Sequence, residues 1–333
     1  MTNRHSRSST SRRSFIAVIA AAAAMGSTLA ANADTFPSRP IRMVVGFSPG
    51  GTTDLLARLL AVQMGKTLGQ PVVIDNKPGA SGTIAADLVA KSPADGYTIM
   101  LTTSTVHGVA PSLFKKLPYE TNKSFAPISQ VSKSTMVLVA NNDFPANTVQ
   151  ELIALAKKKP GGIAYASAGP GSTFHLVAAM FSQQANIEML HVPFKGGGAA
   201  MPSVMSGDVQ IAFDNIASTR TLIEGKKLKA IAVTSRERSA SLPQAPSFVE
   251  SGMPSFTLYS WSGLVAPAGT PQDVIQKLNA ATQKALQAPE VREALLKGDT
   301  EGQGGTPEAF AHFIAGEQKR WGDAVRLTGA SLD

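Results

Sequence analysis

Several loops of this chain join an apolar run directly to a helical pattern through glycine, serine and threonine. The first is VVGFSPGGTTDLLARLL, residues 44–60, in which Gly50 and Gly51 precede Thr52. The first backbone N–H groups of a helix lack partners within it, so an anion placed there gains hydrogen bonds and a favourable helix dipole. The stretch therefore predicts an anion site at this turn, unless the two glycines serve only the turn itself.

Loops of the same kind recur four times, at 76–82 (NKPGASG), 102–105 (TTST), 167–173 (SAGPGST) and 195–198 (KGGG). In a parallel sheet, the loops at the carboxyl ends of the strands line one crevice. Lys77 and Lys195 are the only lysines near these loops, and no arginine lies inside one. Neutral donors at helix starts suit a carboxylate better than a phosphate, which more often brings a cation. The loops therefore predict a carboxylate ligand.

The sequence lacks the signatures of common cofactor and catalytic sites. Gly46 and Gly51 have the spacing of a phosphate loop, but Thr52 stands where lysine is required, and no G-x-G-x-x-G follows the first strand. The chain has no cysteine and no H-E-x-x-H motif. The stretch AGPGS at 168–172 is not a nucleophile elbow. The sequence predicts no cofactor and no metal, and it leaves a catalytic serine open without indicating a base.

Some side chains beside these loops have a structural as well as a functional interpretation. Asp54 falls in the first turn of its predicted helix, where an acid offsets the dipole and orients the loop. Ser172 and Thr173 either cap their helix or contact a ligand. His175 is interpreted as a packed or capping histidine rather than a ligand residue.

The formal charge of +8 overstates how basic the working protein would be. Residues 1–33 carry four arginines and no acid, which leaves 27 basic and 23 acidic residues beyond them. That balance predicts no nucleic-acid partner. Two arginines before an apolar run, with Ala31-Asn32-Ala33 after it, predict an export signal cleaved after Ala33, of twin-arginine or ordinary secretory type. Because no later apolar segment approaches the ~20 residues that span a bilayer, we expect a periplasmic protein.

Apolar segments and helical patterns alternate along the rest of the chain, which predicts an α/β fold with mostly parallel sheets. No linker separates two halves, so crossing strands should join them. The predicted domains are the signal at 1–33, lobe 1 at 34–134, lobe 2 at 135–256, and a crossover completing lobe 1 at 257–333. The predicted strands are 41–46, 72–74, 97–101, 136–140, 163–166, 189–192, 209–213, 228–234 and 259–265. The predicted helices are 52–65, 83–91, 148–159, 174–184, 199–206 and two that begin at Thr270-Pro271 and Thr306-Pro307.

Five longer stretches together resemble one known family. They are VVGFSPGGTTDLLAR, NKPGASGTIAADLVAKSPADGYTI, AKKKPGGIAYASAGPGSTFHL, HVPFKGGGAAMPSVMSGDVQIAFDN and YSWSGLVAPAGTP. In this order they resemble the substrate-binding receptors of tripartite tricarboxylate transporters, the Bug receptors, over residues 36–328. Two positions depart from the family pattern. The loop at 105–108 reads Thr-Val-His-Gly, with His107 after Val106, where many relatives have Thr-His-Ala. Phe194 stands where tyrosine is frequent among relatives.

The resemblance implies a two-lobed type II periplasmic binding protein of the Venus flytrap form, a monomer that is not an enzyme. It implies a dicarboxylate, acidic amino acid or aromatic acid as ligand and the membrane permease subunits as partner. The implied ligand-binding residues are Phe47, Ser48, Gly50, Gly51, Thr52, Asp54, Ser81, Ser104, Ser167, Ala168, Gly171, Ser172, Thr173, Lys195, Gly196 and Asp214. Two alternatives remain, an exported hydrolase that uses a serine-rich loop and a ligand sensor for a membrane kinase.

Overall fold

The computed structural model describes residues 1–2 and 36–328. The predicted export segment and its cleavage position at Ala33 lie outside the described residues, apart from Met1 and Thr2. Within the described ranges, no helix is long and apolar enough to cross a membrane. From Arg39 onward the described residues form one compact unit, and every element named below belongs to it.

The ten strands are β1 (Ile41–Val45), β2 (Val72–Asn76), β3 (Thr98–Thr103), β4 (Phe125–Ala140), β5 (Ala164–Ser167), β6 (Leu190–Pro193), β7 (Ile211–Asn215), β8 (Lys229–Val233), β9 (Tyr259–Pro267) and β10 (Thr300–Gly304). The α-helices of the described part are α1 (Thr52–Leu68), α2 (Thr83–Ala90), α3 (Ala110–Leu113), α4 (Val149–Lys158), α5 (Thr173–Ala185), α6 (Gly197–Ser206), α7 (Ile216–Glu224), α8 (Gln272–Gln287), α9 (Pro289–Lys297) and α10 (Pro307–Thr328).

Strands β2, β1, β3 and β9, with β4 up to Thr135, form what we call the first half of the sheet. β1 runs parallel to both of its neighbours, with Ile41 opposite Val72 and Arg42 opposite Thr98. Parallel neighbours require a crossover connection, which α1 supplies between β1 and β2. The strand–loop–helix–strand unit predicted at the start of the chain is confirmed.

Strands β7, β5, β6 and β8, with β4 from Met136 onward, form the second half of the sheet. β5 is parallel to both β6 and β7, as expected for strands that alternate with helices. The loops that open α5, α6 and α7 follow the ends of β5, β6 and β7. The two sets of helix starts therefore face the same crevice from opposite halves.

The crossing strand β4 is 16 residues long and belongs to both halves. Through Phe125–Thr135 it pairs antiparallel with β9, and from Met136 to Ala140 it pairs with β7 and β8. The sequence pattern predicts only 136–140 as a strand, because the preceding residues include serines, Lys133 and Pro127 and show no apolar run. The exact domain boundaries near residues 134 and 257 stay predictions.

The last helix packs on both halves, whereas the sequence predicts contact with the first alone. Phe310 of α10 belongs to the same buried cluster as Trp261 of β9. Trp321, which lies nearer the C-terminal end of α10, belongs to the cluster that contains Met136 and Phe181. The buried face of α10 therefore packs against both halves of the sheet.

The two predicted helix starts in this region have different outcomes. Thr306 caps α10 as predicted, since its hydroxyl accepts a hydrogen bond from the Ala309 N–H at 3.2 Å. Thr270 does not cap α8, because its hydroxyl donates to the Pro267 carbonyl at 2.8 Å and the helix begins only at Gln272. The short helices α3, α7 and α9 are missing from the sequence prediction.

Candidate functional site

A cavity of about 50 Å³ lies where the two halves of the sheet face each other. The first half contributes the start of α1 and the end of β3, and the second half contributes the starts of α5 and α6 and the end of β7. The crossing strands β4 and β9 form its floor. The lining residues are Phe47, Gly51, Thr52, Thr53, Leu56, Thr103, Ser104, Thr105, Ser132, Ser134, Ala168, Thr173, Phe174, Gly197, Asp214, Asn215, Ser260, Trp261 and Ser262.

The turn before α1 is held in shape by Asp54. This carboxylate, 2% exposed, accepts hydrogen bonds from the Gly50 N–H at 3.0 Å, from Arg58 Nε at 2.9 Å and from Asn76 Nδ2 at 3.0 Å. Burial raises the pKa of Asp54, but these hydrogen bonds outweigh burial and hold the pKa below its ordinary value. Gly50 takes a φ of 81°, a conformation that favours glycine. Asp54 thus orients the loop, and Gly51 and Thr52 reach the cavity.

Hydroxyl groups connect the end of β3 to the start of α5 across the crevice. Thr173 Oγ1 lies 2.8 Å from Ser104 Oγ and 3.0 Å from Thr105 Oγ1. The Thr173 N–H donates to Thr105 Oγ1 at 3.0 Å, so one free N–H of α5 already has a partner. Ser172 is the N-cap of α5 and accepts from the His175 N–H at 3.2 Å. Ser172 therefore has the capping role that its position predicts.

The two halves also touch directly at the rim of the cavity. The Ser48 N–H and hydroxyl both donate to the Lys195 carbonyl, at 3.0 and 2.9 Å. Ser81, with a left-handed φ of 54°, donates from its hydroxyl to the Pro170 carbonyl at 2.5 Å. Such bonds between the halves can form only when the crevice is closed, so the structure represents a closed state.

Asp214, near the end of β7, is the only charged residue among the described residues that line the cavity. It is 1% exposed. Its Oδ1 accepts from the Asn215 N–H at 2.7 Å and from Ser218 Oγ at 3.0 Å, while Oδ2 has no hydrogen-bond partner among the described residues. Burial raises the pKa of Asp214 to about 6; the Asn215 N–H and the Ser218 and Thr52 hydroxyls lower the pKa by less. Thr52 lies close enough to act on the carboxyl without reaching hydrogen-bond geometry.

The approach of Asp214 to the start of α6 depends on Gly197. A Cβ at this position would overlap Asp214 Oδ2. The glycine therefore lets a carboxyl oxygen lie against a helix start that also faces the cavity.

Serines of the crossing strands form the floor of the cavity, and sequence reasoning missed them. Ser132 Oγ and Ser262 Oγ lie 2.7 Å apart, and Ser260 donates to Asn215 Oδ1 at 2.7 Å. A signal was available, because VSKS at 131–134 and YSWSG at 259–263 place serine at alternate positions of extended segments, which puts those side chains on one face. Other lining residues absent from the sequence prediction are Thr53, Leu56, Thr103, Thr105, Phe174, Gly197, Asn215 and Trp261.

The sixteen residues implied by the resemblance fall into three positions. Those that line the cavity are Phe47, Gly51, Thr52, Ser104, Ala168, Thr173 and Asp214. Those that form contacts at the rim are Ser48, Ser81, Lys195 and Gly196. Those that support the loops from behind are Gly50, Asp54, Ser167, Gly171 and Ser172. Their role in ligand binding stays a prediction.

Two histidines stack behind the loop at 167–173. The rings of His175 and His191 are 4.0 Å apart and 9° from parallel. His175 Nδ1 accepts from the Gly171 N–H at 2.9 Å, and His191 Nε2 lies 2.6 Å from Ser167 Oγ. Burial, with the neighbouring His175, lowers the pKa of His191 to about 4. Both rings therefore act on the loop as neutral groups and lie outside the cavity lining.

Known proteins resemble this chain over most of its length. The sequence profile of the family described as "Tripartite tricarboxylate transporter family receptor" matches residues 56–329. BugT of Bordetella pertussis is 38% identical over 302 residues, which cover 90% of this chain and 93% of that protein. The solved structure of the periplasmic binding protein BugD has a TM-score of 0.86 at 37% identity, covering 89% of this chain and 99% of BugD. MatC from Rhodopseudomonas palustris, solved with bound malate, has a TM-score of 0.84 at 34% identity, covering 87% of this chain and 100% of MatC.

These similarities confirm the two-lobed α/β fold of periplasmic binding proteins. The matched family and these structural neighbours are solute-binding receptors rather than enzymes.

Proposed function

Because the chain belongs to the family of tripartite tricarboxylate transporter receptors, we propose that it is a periplasmic receptor that captures a small carboxylate between its lobes. The loaded receptor then delivers the ligand to the membrane permease of its transporter. Export follows from the signal at 1–33, which is removed after Ala33, and the receptor works as a monomer. The lobes divide near residues 134 and 257.

One observation carries the proposal. Three helix starts, those of α1, α5 and α6, converge on one cavity, and no lysine, arginine or histidine is among the described residues that line it. Helix starts and hydroxyls bind anions without needing a cation. Charge-assisted hydrogen bonds contribute about 1.5–3 kcal/mol each, so about four or five of them offset ordering costs and reach micromolar affinity, about 8 kcal/mol.

The size of the cavity narrows the ligand class. In this measure one water needs about 10–15 Å³, so about 50 Å³ leaves room for a few such groups. A short aliphatic acid fits this space better than an aromatic acid. The malate bound in MatC is a ligand of this size class.

Ligand capture and closure are then one event. The bonds that the ligand makes to both lobes exist only in the closed state, so the ligand shifts the population towards closure. The rim contacts from Ser48 and Ser81 to the opposite lobe add to that state.

One observation favours the hydrolase alternative, a close serine–histidine pair, but this pair does not lie at the cavity. Ser167 Oγ and His191 Nε2 are within hydrogen-bond distance, at 2.6 Å. However, neither residue is among those that line the cavity, and Ser167 also bonds to Gly169 within its own loop. The pair supports the loop and does not face a substrate.

The test is a panel of acids offered to the refolded, ligand-stripped protein starting at residue 34. Short dicarboxylates, acidic amino acids, aromatic acids and tricarboxylates are compared by melting temperature. At 100 times Kd a ligand adds about 2.7 kcal/mol, which raises Tm by roughly 4 °C for a chain of this size. We expect that shift with short dicarboxylates, and the same acids recovered unchanged after incubation.

Two results would contradict the proposal. One is a folded, empty protein whose Tm no acid raises. The other is turnover of an ester or amide that disappears in Ser167→Ala, which would favour the hydrolase. Capture of the loaded receptor by membranes that contain a kinase, and not by membranes that contain the permease, would favour the sensor.

A further inference from the structure

The charge balance of the cavity is incomplete. Asp214 is 1% exposed, and its Oδ2 has no hydrogen-bond partner among the described residues. The Thr52 hydroxyl on the opposite wall is likewise buried and without a hydrogen-bond partner there. A buried carboxylate without a counterion is unfavourable, and an anionic ligand beside it makes the repulsion greater.

The charged and titratable groups on the surrounding elements do not neutralise Asp214. Arg58 on α1 is paired with Asp54, and Arg220 on α7 is paired with Glu224. The remaining groups of this kind are Lys133 on β4, which lies over Tyr259, Tyr165 on β5, His175 on α5 and the exposed Lys195 before α6. The pKa of Asp214 is set by burial and hydrogen bonds, and none of these charges contributes to it.

The start of α6, against which Asp214 Oδ2 lies, offsets part of this charge. Two further events can balance the rest once a carboxylate ligand has entered. Either the ligand brings a cation of its own, as an amino acid does, or the Asp214 carboxyl takes a proton from solvent. Protonation leaves Oδ1 free to keep its bonds from Asn215 and Ser218. It turns Oδ2 from an unpaired acceptor into a donor on a residue that lines the cavity.

We propose that Asp214 takes up one proton when a short dicarboxylate binds, and that its Oδ2–H then donates a hydrogen bond to a carboxylate of the ligand. The inference rests on the carboxylate-binding function proposed above. It makes Asp214 a specificity-determining residue, since a neutral carboxylic acid is complementary to an anion and an ionised one is not.

The proton is readily available near neutral pH. Burial raises the pKa of the Asp214 carboxyl to about 6, so at pH 7 the empty closed site is protonated in roughly one molecule in ten. Opening of the lobes would hydrate Asp214 and bring its pKa towards the ordinary value of 3.8. In either case the carboxyl is mainly ionised at pH 7 and above. The protonated fraction falls about tenfold per pH unit there, so the apparent affinity for a ligand that binds only the protonated form must fall by the same factor.

The test is calorimetric titration with succinate, malate and adipate at about pH 7 and about pH 8.5, where carboxylates of this kind stay fully ionised. We expect Kd to rise about 30-fold between the two conditions. Repeating the titration in two buffers of different ionisation enthalpy should show uptake of close to one proton. Asp214→Asn, whose amide can donate where the acid donated, should bind with Kd changing less than about twofold over that range. The exposed Asp208 offers the matched control, because Asp208→Asn should keep the wild-type pH dependence.

Other results would contradict proton uptake by Asp214 or the proposed function itself. A dicarboxylate that binds wild-type protein without proton uptake overturns the inference and leaves the proposed function standing. Binding confined to L-aspartate or L-glutamate, and lost in Asp214→Asn, overturns it in favour of an ammonium partner. If no acid binds the folded, empty protein, the proposed function falls as well. If Asp214→Asn does not fold, the proton uptake of the wild type alone decides.

Discussion

Gly198→Ala should prevent the lobes from closing around the ligand. Gly198 lies in the first turn of α6, and a Cβ there would stand 2.8 Å from Gly51 N and 3.1 Å from Gly50 C, with the Pro49 carbonyl oxygen closer still. All three are backbone atoms of the turn before α1, so no side-chain rotation can relieve the overlap.

The magnitude follows from the same geometry. Overpacking in a closely fitted region costs about 1–3 kcal/mol. The strain exists only in the closed state, because opening of the lobes separates α6 from the turn. The whole penalty therefore falls on ligand binding, and Kd should rise about 5- to 150-fold. The open protein should lose no stability, since alanine is favoured over glycine in a helix by up to about 1 kcal/mol.

The assay combines calorimetric Kd values with the intrinsic fluorescence of Trp261, which lines the cavity. Gly316→Ala is the matched control, because Gly316 is exposed in α10 and a Cβ there meets nothing within 4 Å. The control should raise Tm slightly and leave Kd unchanged. A Gly198→Ala protein that binds with wild-type Kd would refute the reasoning, since the lobes would then not need to meet at this distance.

Three further perturbations test other parts of the molecule. Gly51→Asp places a carboxylate at the cavity, so it should weaken binding of any acid by more than about tenfold; calorimetry that finds unchanged affinity would mean that the ligand lies elsewhere. Thr148→Ala removes the bond from the Glu151 N–H at 3.1 Å and should lower the unfolding free energy by about 1 kcal/mol in urea, with Kd unaffected. The pKa of His191 is lowered in the folded state, from 6.5 to about 4, so the unfolded state binds more protons in this window and stability should fall as pH drops through it. His191→Gln should flatten that part of the stability curve, and an unchanged curve would assign the effect to other groups.

Local patterns explain why much of the fold was predictable. The starts of α1 and α5 are recognisable because small residues lie between an apolar run and a helical repeat. Both helices begin within one residue of the predicted position. The capping residues Ser172, Thr148 and Thr306 could be recognised because a cap is a contact between residues three positions apart. Contacts between residues this close in the chain can be inferred from the sequence alone.

The elements that were missed depend on contacts between distant residues. The first part of β4 is extended because β9 pairs with it, with Ser132 beside Ser262 across 130 positions of the chain. The π-helix at Ser104–Val109 aims Ser104 and Thr105 at Thr173, and no periodicity near residue 104 signals it. α10 joins both halves because Phe310 and Trp321 meet different buried clusters.

The sequence by itself determined the order of the longer helices and of most strands, the positions of the glycine loops and the absence of a cysteine or a cofactor motif. Each of these is a property of neighbouring residues. Tertiary structure alone decided what those residues face. Asp54 turned inward to hold its loop, while Asp214 was left with one carboxyl oxygen unpaired in a cavity that has no cation among its described lining residues. Burial is produced by the packing of elements far apart in the chain, and burial sets the charge, the pKa and the partner of a side chain.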